Sequence, residues 1–304
     1  MNNLDKLKVC ILYGGWSDER SISLESGKNV YDCLLEGGLS VNLFDFHTND
    51  KELLLNFLKK NSINLVFNLM HGVGGEDGLV QSYLDDLAIK YVGSNSKSSQ
   101  LSFDKILTKE IWKKNNLPTP DWIKLNKNSN YTDIVKRLNE PFIIKPSASG
   151  SSVGIQIIKS EEIFNTYLNE SSHLENTMIE KIVNGFEYTA PIINDEVFPI
   201  IKIETKREFY DYNAKYIDND TLFTFPSFSE DNLDEIKQTV LRAFKSVGCT
   251  KLGRVDFFID TNNKIQLIEI NTIPGMTSHS LVPMSSKEKN ISFLDLIISI
   301  LLEE

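Results

Sequence analysis

The chain has 304 residues, 41% hydrophobic and 24% charged, and 42 acidic against 32 basic side chains give a net charge of −10. That length allows two or three domains with cores of their own, and the acidic balance argues against a nucleic-acid backbone as principal partner. Cys10, Cys33 and Cys249, odd in number and widely spaced, fit reduced thiols of a cytoplasmic protein. The apolar run near the N-terminus is too short for a secretory core.

The first third reads as alternating strand and helix: KVCILYG, a helix from about 21 to 36, VNLFDF, a helix near 50 to 60, INLVFNLM, and a helix from about 78 to 88. Strands alternating with crossover helices predict a small parallel α/β sheet. GGWSDER (14–20) and HGVGGEDG (71–78) each follow a strand directly, where an open sheet places its binding crevice. Glu19 and His71 fall in that crevice. Glu19 could hold a substrate ammonium, and His71 could orient it or pair with Glu76 or Asp77. The competing readings are a helix cap for Asp18-Glu19 and a hydrogen-bonded structural histidine.

One helix is predicted over about 102–115, ended by Leu117-Pro118-Thr119-Pro120. PFIIK, the loop PSASGSSVG, IQIIK, a helix near 160–169 and the strand TMIEKIV follow. In KPSASGSSVG (145–154) small residues let backbone N–H groups and hydroxyls close over phosphate oxygens, with Lys145 at the base. The GK[ST] ending of a P-loop is absent, so phosphate binding here would use a hairpin lid; a plain surface hairpin is the alternative. Glu180 to Val183 are predicted as a strand edge offering main-chain groups to an adenine, with Glu187 on ribose hydroxyls, or else as solubilising surface charge. FYDYNAKY (209–216) suits a loop that folds over a ligand, or an ordinary packed loop.

A helix near 231–246 leads to the most informative pair of segments, GRVDFFID (253–260) and KIQLIEIN (264–271). They predict a hairpin, and centring its turn on Asn262-Asn263 sets Arg254 against Asn271 and Asp256 against Glu269. Two carboxylates about 5 Å apart repel by about 3 to 4 kcal/mol at an effective dielectric near 20, so a cation is called for. Oxygen-only ligands from Asp256, Glu269 and Asn271 favour Mg²⁺ or Mn²⁺; a solvated hairpin face is the alternative. Val255, Phe257, Ile259, Ile268 and Ile270 are the expected buried face. The closing ISFLDLIISILLEE, interrupted by Asp295, is shorter than the ~18 residues of a membrane span and predicts a packed terminal helix.

GGWSDERSISLESG, HGVGGEDG, KPSASGSSVG, EKIVNGFEYT, DYNAKY, GRVDFFID and IEINTIPGMTSHSLVP together resemble, in this order, the D-alanine–D-alanine ligases of the ATP-grasp superfamily, over essentially the whole chain. The resemblance implies an α/β fold (α+β overall) with a Rossmann-like domain at 1–96, a central ATP-grasp subdomain at 97–184 and a C-terminal one at 185–304. It implies ATP and two Mg²⁺ (or Mn²⁺), two molecules of D-alanine, an acyl-phosphate intermediate, peptidoglycan precursor synthesis in the cytoplasm, a homodimer, and neither a nucleic-acid nor a membrane partner.

By the same resemblance Lys105 and Lys145 hold phosphates, together with Ser151 and Ser152 of the loop. Glu180, Lys181, Ile182 and Val183 bind adenine, and Glu187 binds ribose. Asp256, Glu269 and Asn271 hold the cations. Arg254 and the Gly275 N–H stabilise a tetrahedral oxyanion. Glu19 fixes the first D-alanine's ammonium and connects through Tyr216 to Ser151. His71 and Tyr210 line the substrate site, Ser280 and Leu281 receive the second carboxylate, and Lys215 lies near the transferred phosphate. Tyr216 is associated with D-alanine as second substrate. Arg20-Ser21 and TFPS (224–227) depart from the usual pattern beside these residues. The competing functions are a D-Ala-D-Ser or D-Ala-D-Lac ligase, a nucleotide sensor without turnover and, from the first domain alone, a nicotinamide dehydrogenase, which lacks its GxGxxG fingerprint.

Overall fold

The computed structural model describes residues 7–150, 154–171, 174–206 and 220–302. Three sheets follow one another along the chain. The first is parallel, with β1 (Val9–Gly14), β2 (Val41–Phe46), β3 (Leu65–Asn68) and β4 (Lys90–Tyr91) in the order β2-β1-β3-β4. Its crossovers are α1 (Arg20–Glu36), α2 (Lys51–Lys60) and α3 (Leu79–Asp86). Cys10, Ile11 and Leu12 are fully buried because β1 is central and covered on both faces.

The helix expected over 102–115 is two helices, α4 (Ser96–Phe103) and α5 (Lys105–Lys114). The break is Asp104, which leaves helical geometry at ψ 105° and accepts hydrogen bonds from the N–H groups of Ile106 and Leu107. An N-cap aspartate inside an otherwise helical pattern restarts the helix, and Lys105 becomes the first residue of the new turn. Trp112 of α5 is buried against the core of the third sheet, its indole N–H donating to the Ala243 carbonyl.

The second sheet is antiparallel, order β5-β8-β6-β7, from β5 (Trp122–Lys124), β6 (Phe142–Pro146), β7 (Gln156–Ile158) and β8 (Thr177–Lys181). It carries α6 (Tyr131–Leu138) and α7 (Glu161–Glu170). Strand β8 is interior, pairing with β5 on one side and β6 on the other, which corrects the reading of Glu180 as an edge residue. Only Ile182 and Val183 lie past the end of the ladder.

The third sheet runs β12-β11-β9-β13-β14, with β10 on the far part of β9. Its strands are β9 (Gly185–Ile193), β10 (Glu196–Val197), β11 (Ile201–Glu204), β12 (Leu222–Thr224), β13 (Leu252–Asp260) and β14 (Ile265–Asn271). Helix α8 (Glu230–Ser246) covers it through Ile236, Val240, Ala243 and Phe244. Two last helices, α9 (Leu281–Glu288) and α10 (Phe293–Leu301), return to the first sheet. Leu296, Ile297, Ile300 and Leu301 join Val9, Ile11 and Val30 in one core, so the terminal apolar run is a packed helix. No helix of the described residues is long and apolar enough to cross a membrane.

Candidate active site

Strands β13 and β14 pair Arg254 with Asn271, Val255 with Ile270 and Asp256 with Glu269, the pairing expected from the sequence. The route to that register differs from the expected one. The turn closes one residue earlier, with Ile259 opposite Ile265 and Asn263 at φ 58° after the Asn263 N–H to Asp260 carbonyl bond. A β-bulge between Asp256 and Phe257 then restores the register. The extra residue is Ile268, so it does not join the buried face as expected; it lines the site cavity beside Glu269, while Leu267 and Ile265 take the core positions.

The repulsion expected between Asp256 and Glu269 is relieved by two cations of the chain itself. Arg254 forks onto Asp256 through Nε and an Nη, both at 2.8 Å, and the Thr189 hydroxyl donates to the same carboxylate. Lys105 Nζ stands 3.2 Å from Glu269 and donates to the Ser149 carbonyl at 2.7 Å. Asn271 Oδ1 accepts the Ile273 N–H. Two carboxylates and one amide at one end of a hairpin form a hard oxygen donor set, which fits a divalent cation of the Mg²⁺ class.

Above this floor the second sheet closes a cavity of about 410 Å³. Lys105, Lys145, Glu187, Asp256 and Glu269 all face it, as do Lys181, Ile182 and Val183. Strand pairing sets Lys145 diagonal to Glu180, since Ile143 opposes Glu180 and Lys145 opposes Met178. Glu180 is a buried anion held at 2.6 Å by Lys145 and at 2.6 Å by Lys109. Burial alone would raise its carboxyl; the two ammonium groups outweigh burial and hold it below the usual carboxylate range. Burial pushes Lys109 down to about 8 against the attraction of Glu180.

Lys109 is the residue the sequence reading missed. Its signal was an i,i+4 spacing from Lys105 on the face of α5 that also carries Ile106 and Trp112, a position where an unpaired lysine is not expected.

The three glycine-bearing motifs meet at Glu19. A Cβ on Gly150 would lie 2.2 Å from a Glu19 carboxylate oxygen, and one on Gly72 2.8 Å from the same atom, so a side chain at either position would displace this carboxylate. Glu19 occupies the N-cap position of α1, at the positive end of the helix as the capping reading expects, but its side chain makes no capping hydrogen bond there. Ser17 donates to the His71 carbonyl, and Arg20 pairs bidentately with Asp45 while donating to the Gly15 carbonyl. The departure Arg20-Ser21 therefore ties down the segment that carries Glu19. His71 is buried, with Nδ1 3.5 Å from Glu76; Asp77 instead accepts from Gly74 and Leu79.

Ser280 stands at the N-cap of α9 and Leu281 is its first residue, so both lie at the positive end of that helix. Ser280 Oγ accepts the Thr277 N–H at 2.9 Å. Ser151, Ser152, Tyr210, Lys215 and Tyr216 lie outside the described residues.

Comparison with known proteins bears on this arrangement. The family model described as "D-ala D-ala ligase C-terminus" matches residues 111–302. A D-alanine–D-alanine ligase of Neisseria meningitidis serogroup C is 39% identical over 297 residues, spanning 97% of this chain and 96% of that protein. This chain belongs to the D-alanine–D-alanine ligase family. A second ligase of the family, from Mannheimia succiniciproducens, is 38% identical over 99% of both chains. Among solved structures, the D-alanine–D-alanine ligase of Bacillus anthracis complexed with ATP superposes with TM-score 0.83 at 30% identity, covering 97% of this chain and 95% of that one. A D-Ala:D-Ser ligase of Enterococcus faecalis reaches 0.80 at 26% identity, covering 97% and 99%. The ligase family's architecture is the one described above, a parallel-sheet domain followed by a two-sheet ATP-grasp module.

Proposed function

We propose that the protein joins two molecules of D-alanine into D-alanyl-D-alanine, with cleavage of ATP to ADP and phosphate, as a step in making a peptidoglycan precursor. The observation that carries this reading is the convergence of Lys105, Lys145, Asp256 and Glu269 on one cavity between two antiparallel sheets. A carboxylate oxygen of the first D-alanine attacks the γ-phosphorus, and the bond to the β-phosphate oxygen breaks with its electron pair leaving on ADP. The amine of the second D-alanine attacks the acyl phosphate, and phosphate departs. Such a sequence needs charge neutralisation and alignment more than covalent help from the protein.

In this reading Lys105 and Lys145 hold phosphates, Glu180 to Val183 line the adenine, and Glu187 takes the ribose. Glu180 acts through its side chain as the counter-charge that fixes Lys145. Glu19 takes the first ammonium beside His71, and Arg254 with the Gly275 N–H faces the oxyanion. Ser280 and Leu281 take the second carboxylate. Asp256, Glu269 and Asn271 would hold two Mg²⁺ (or Mn²⁺), which when bound would screen the charge of the transferring phosphoryl group. Ser151, Ser152, Tyr210, Lys215 and Tyr216 keep the roles the resemblance gives them. The proposal also takes the units 1–96, 97–184 and 185–304 as domains, and a homodimer working in the cytoplasm.

The likeness to a D-Ala:D-Ser ligase favours, as second reading, D-serine as the attacking amine. The test is phosphate release from ATP with Mg²⁺ and D-alanine, against L-alanine, D-serine and D-lactate, with products identified by mass. Release that requires D-alanine and yields its dipeptide is expected. A mixed D-Ala-D-Ser product in preference to the dipeptide selects the second reading, and ATP binding without turnover on any of them overturns both.

A further inference from the structure

The loop after β14 that carries Gly275 is held from the opposite side by helix α1. Ser26 Oγ accepts the Met276 N–H at 3.1 Å, and Asn29 Nδ2 donates to the Met276 carbonyl at 2.6 Å. Ser26 and Asn29 are three residues apart and so share one face of α1. Together they fix the two successive peptide planes that flank Met276, whose side chain is itself fully buried in the core shared with the first sheet. Gly275 is also crowded by Ser280, whose Oγ would lie 2.7 Å from a Cβ added there.

The hold on Ser26 extends further. Ser26 Oγ lies 3.3 Å from His71 Nε2, and His71 Nδ1 lies 3.5 Å from Glu76 Oε1. Ser26 Oγ accepts the Met276 N–H whichever way its contact with His71 runs, since a hydroxyl oxygen has two acceptor sites. Bonded to Met276 and in contact with His71, the Ser26 hydroxyl is held from two sides. Ser26 is fully buried, and His71 and Glu76 nearly so, so no solvent competes for these bonds.

We propose that Ser26 and Asn29 are positioning residues for the second half-reaction: by holding the Gly275–Met276 peptide they anchor the Cα of Gly275, from which the N–H that faces the oxyanion extends; this rests on the ligase reading above. In that step the second D-alanine's ammonium first loses one proton to solvent. The amine pair then forms the C–N bond while the carbonyl π pair moves onto oxygen, within reach of the Gly275 N–H. Collapse breaks the C–O bond, whose pair leaves on phosphate together with one of the two remaining amine protons, the other staying on the amide nitrogen. In the first half-reaction charge passes to phosphate oxygens instead, so that step does not depend on where the Gly275 amide points.

The test is a rapid-quench single turnover of full-length Ser26→Ala and Asn29→Ala with ATP, Mg²⁺ and D-alanine, following ADP and dipeptide separately beside the wild type. ADP is expected at the wild-type rate with dipeptide slowed about 10- to 100-fold, acyl phosphate accumulating in between, the range set by misplacing rather than deleting an oxyanion donor. ADP and dipeptide slowed together, or neither slowed, overturns the proposal. Asn29 is half-buried, so Asn29→Ala carries the test if the buried Ser26→Ala does not fold. A wild type that forms dipeptide while the variants show no split overturns the positioning role alone. A wild type that forms none overturns the ligase reading and this role with it.

Discussion

Glu269 is paired with Lys105 at 3.2 Å, and it faces a cavity that would receive phosphates and cations. Glu269→Gln keeps the shape and removes the charge, so kcat is expected to fall about 100-fold or more with the fold retained, as phosphate release and circular dichroism would show. Near-normal turnover would sink the metal assignment. Glu180 is a different kind of anion, buried between Lys109 and Lys145. Its folded carboxyl titrates below the ordinary value, so its stabilisation is complete above the ordinary carboxylate range and is lost as pH falls through the folded value. Glu180→Gln leaves two ammonium groups without their anion and is expected to cost about 3 to 5 kcal/mol. Thermal melts between pH 7 and 3 should show the wild type losing stability more steeply than the variant, and parallel curves would refute the role. Burial pushes the thiols of Cys10 and Cys249 up to about 12, leaving Cys33 as the accessible one. A maleimide is expected to label the native protein at Cys33 alone, read by peptide mass.

Among the elements, the β13–β14 hairpin shows most clearly how a local irregularity builds a site. Without a bulge the turn that closes on Asn263 would set Asp256 against residue 268; the extra Ile268 moves Glu269 into that position. Deleting one residue from a half-buried strand normally turns its remainder to the wrong face. Deleting Ile268 instead leaves Leu267 opposite Phe257 and Glu269 opposite Asp256, so this variant is expected to unfold cooperatively, while deletion of Ile270 is not. Calorimetry on the two deletions distinguishes the outcomes, and equal damage from both would contradict the register. A similar economy operates at Asp104, where one capping side chain divides α4 from α5 and sets Lys105 at the start of a helix with its N–H on the Ser147 carbonyl.

At the scale of the molecule, the chain's last helix belongs to its first sheet. Leu296, Ile297, Ile300 and Leu301 of α10 are buried against Val9, Ile11 and Val30, and at about 1.5 to 3 kcal/mol for each buried side chain they supply about 6 to 12 kcal/mol. That is comparable to the whole stability of a typical domain. Truncation before Phe293 is therefore expected to abolish cooperative unfolding of the parallel-sheet region, measured by proteolysis and calorimetry; an intact melt would show that the sheet stands alone. The same return of the chain brings the loop with Gly275 onto α1, joining segments about 250 residues apart.

Much of this was legible in the residues themselves. The alternation within GRVDFFID put Arg254 and Asp256 on the face opposite Val255 and Phe257, and the two segments were legible as a hairpin, but the pairing of Asp256 with Glu269 came from the bulge at Ile268 and not from alternation. The alternating strands and helices of the first third determined a parallel sheet, and the apolar stripe of the last segment a packed helix. Periodicity is local, and it reports which face is apolar but not what lies against it. Only the tertiary structure decided that Lys109 and Lys145 share Glu180, that β8 is interior rather than an edge, that Ile268 is extruded toward the cavity, and that Glu19 passes between Gly72 and Gly150. Each of those depends on which distant segment fills the space beside a residue, and that is set by the packing of three sheets on one another rather than by any run of neighbouring residues.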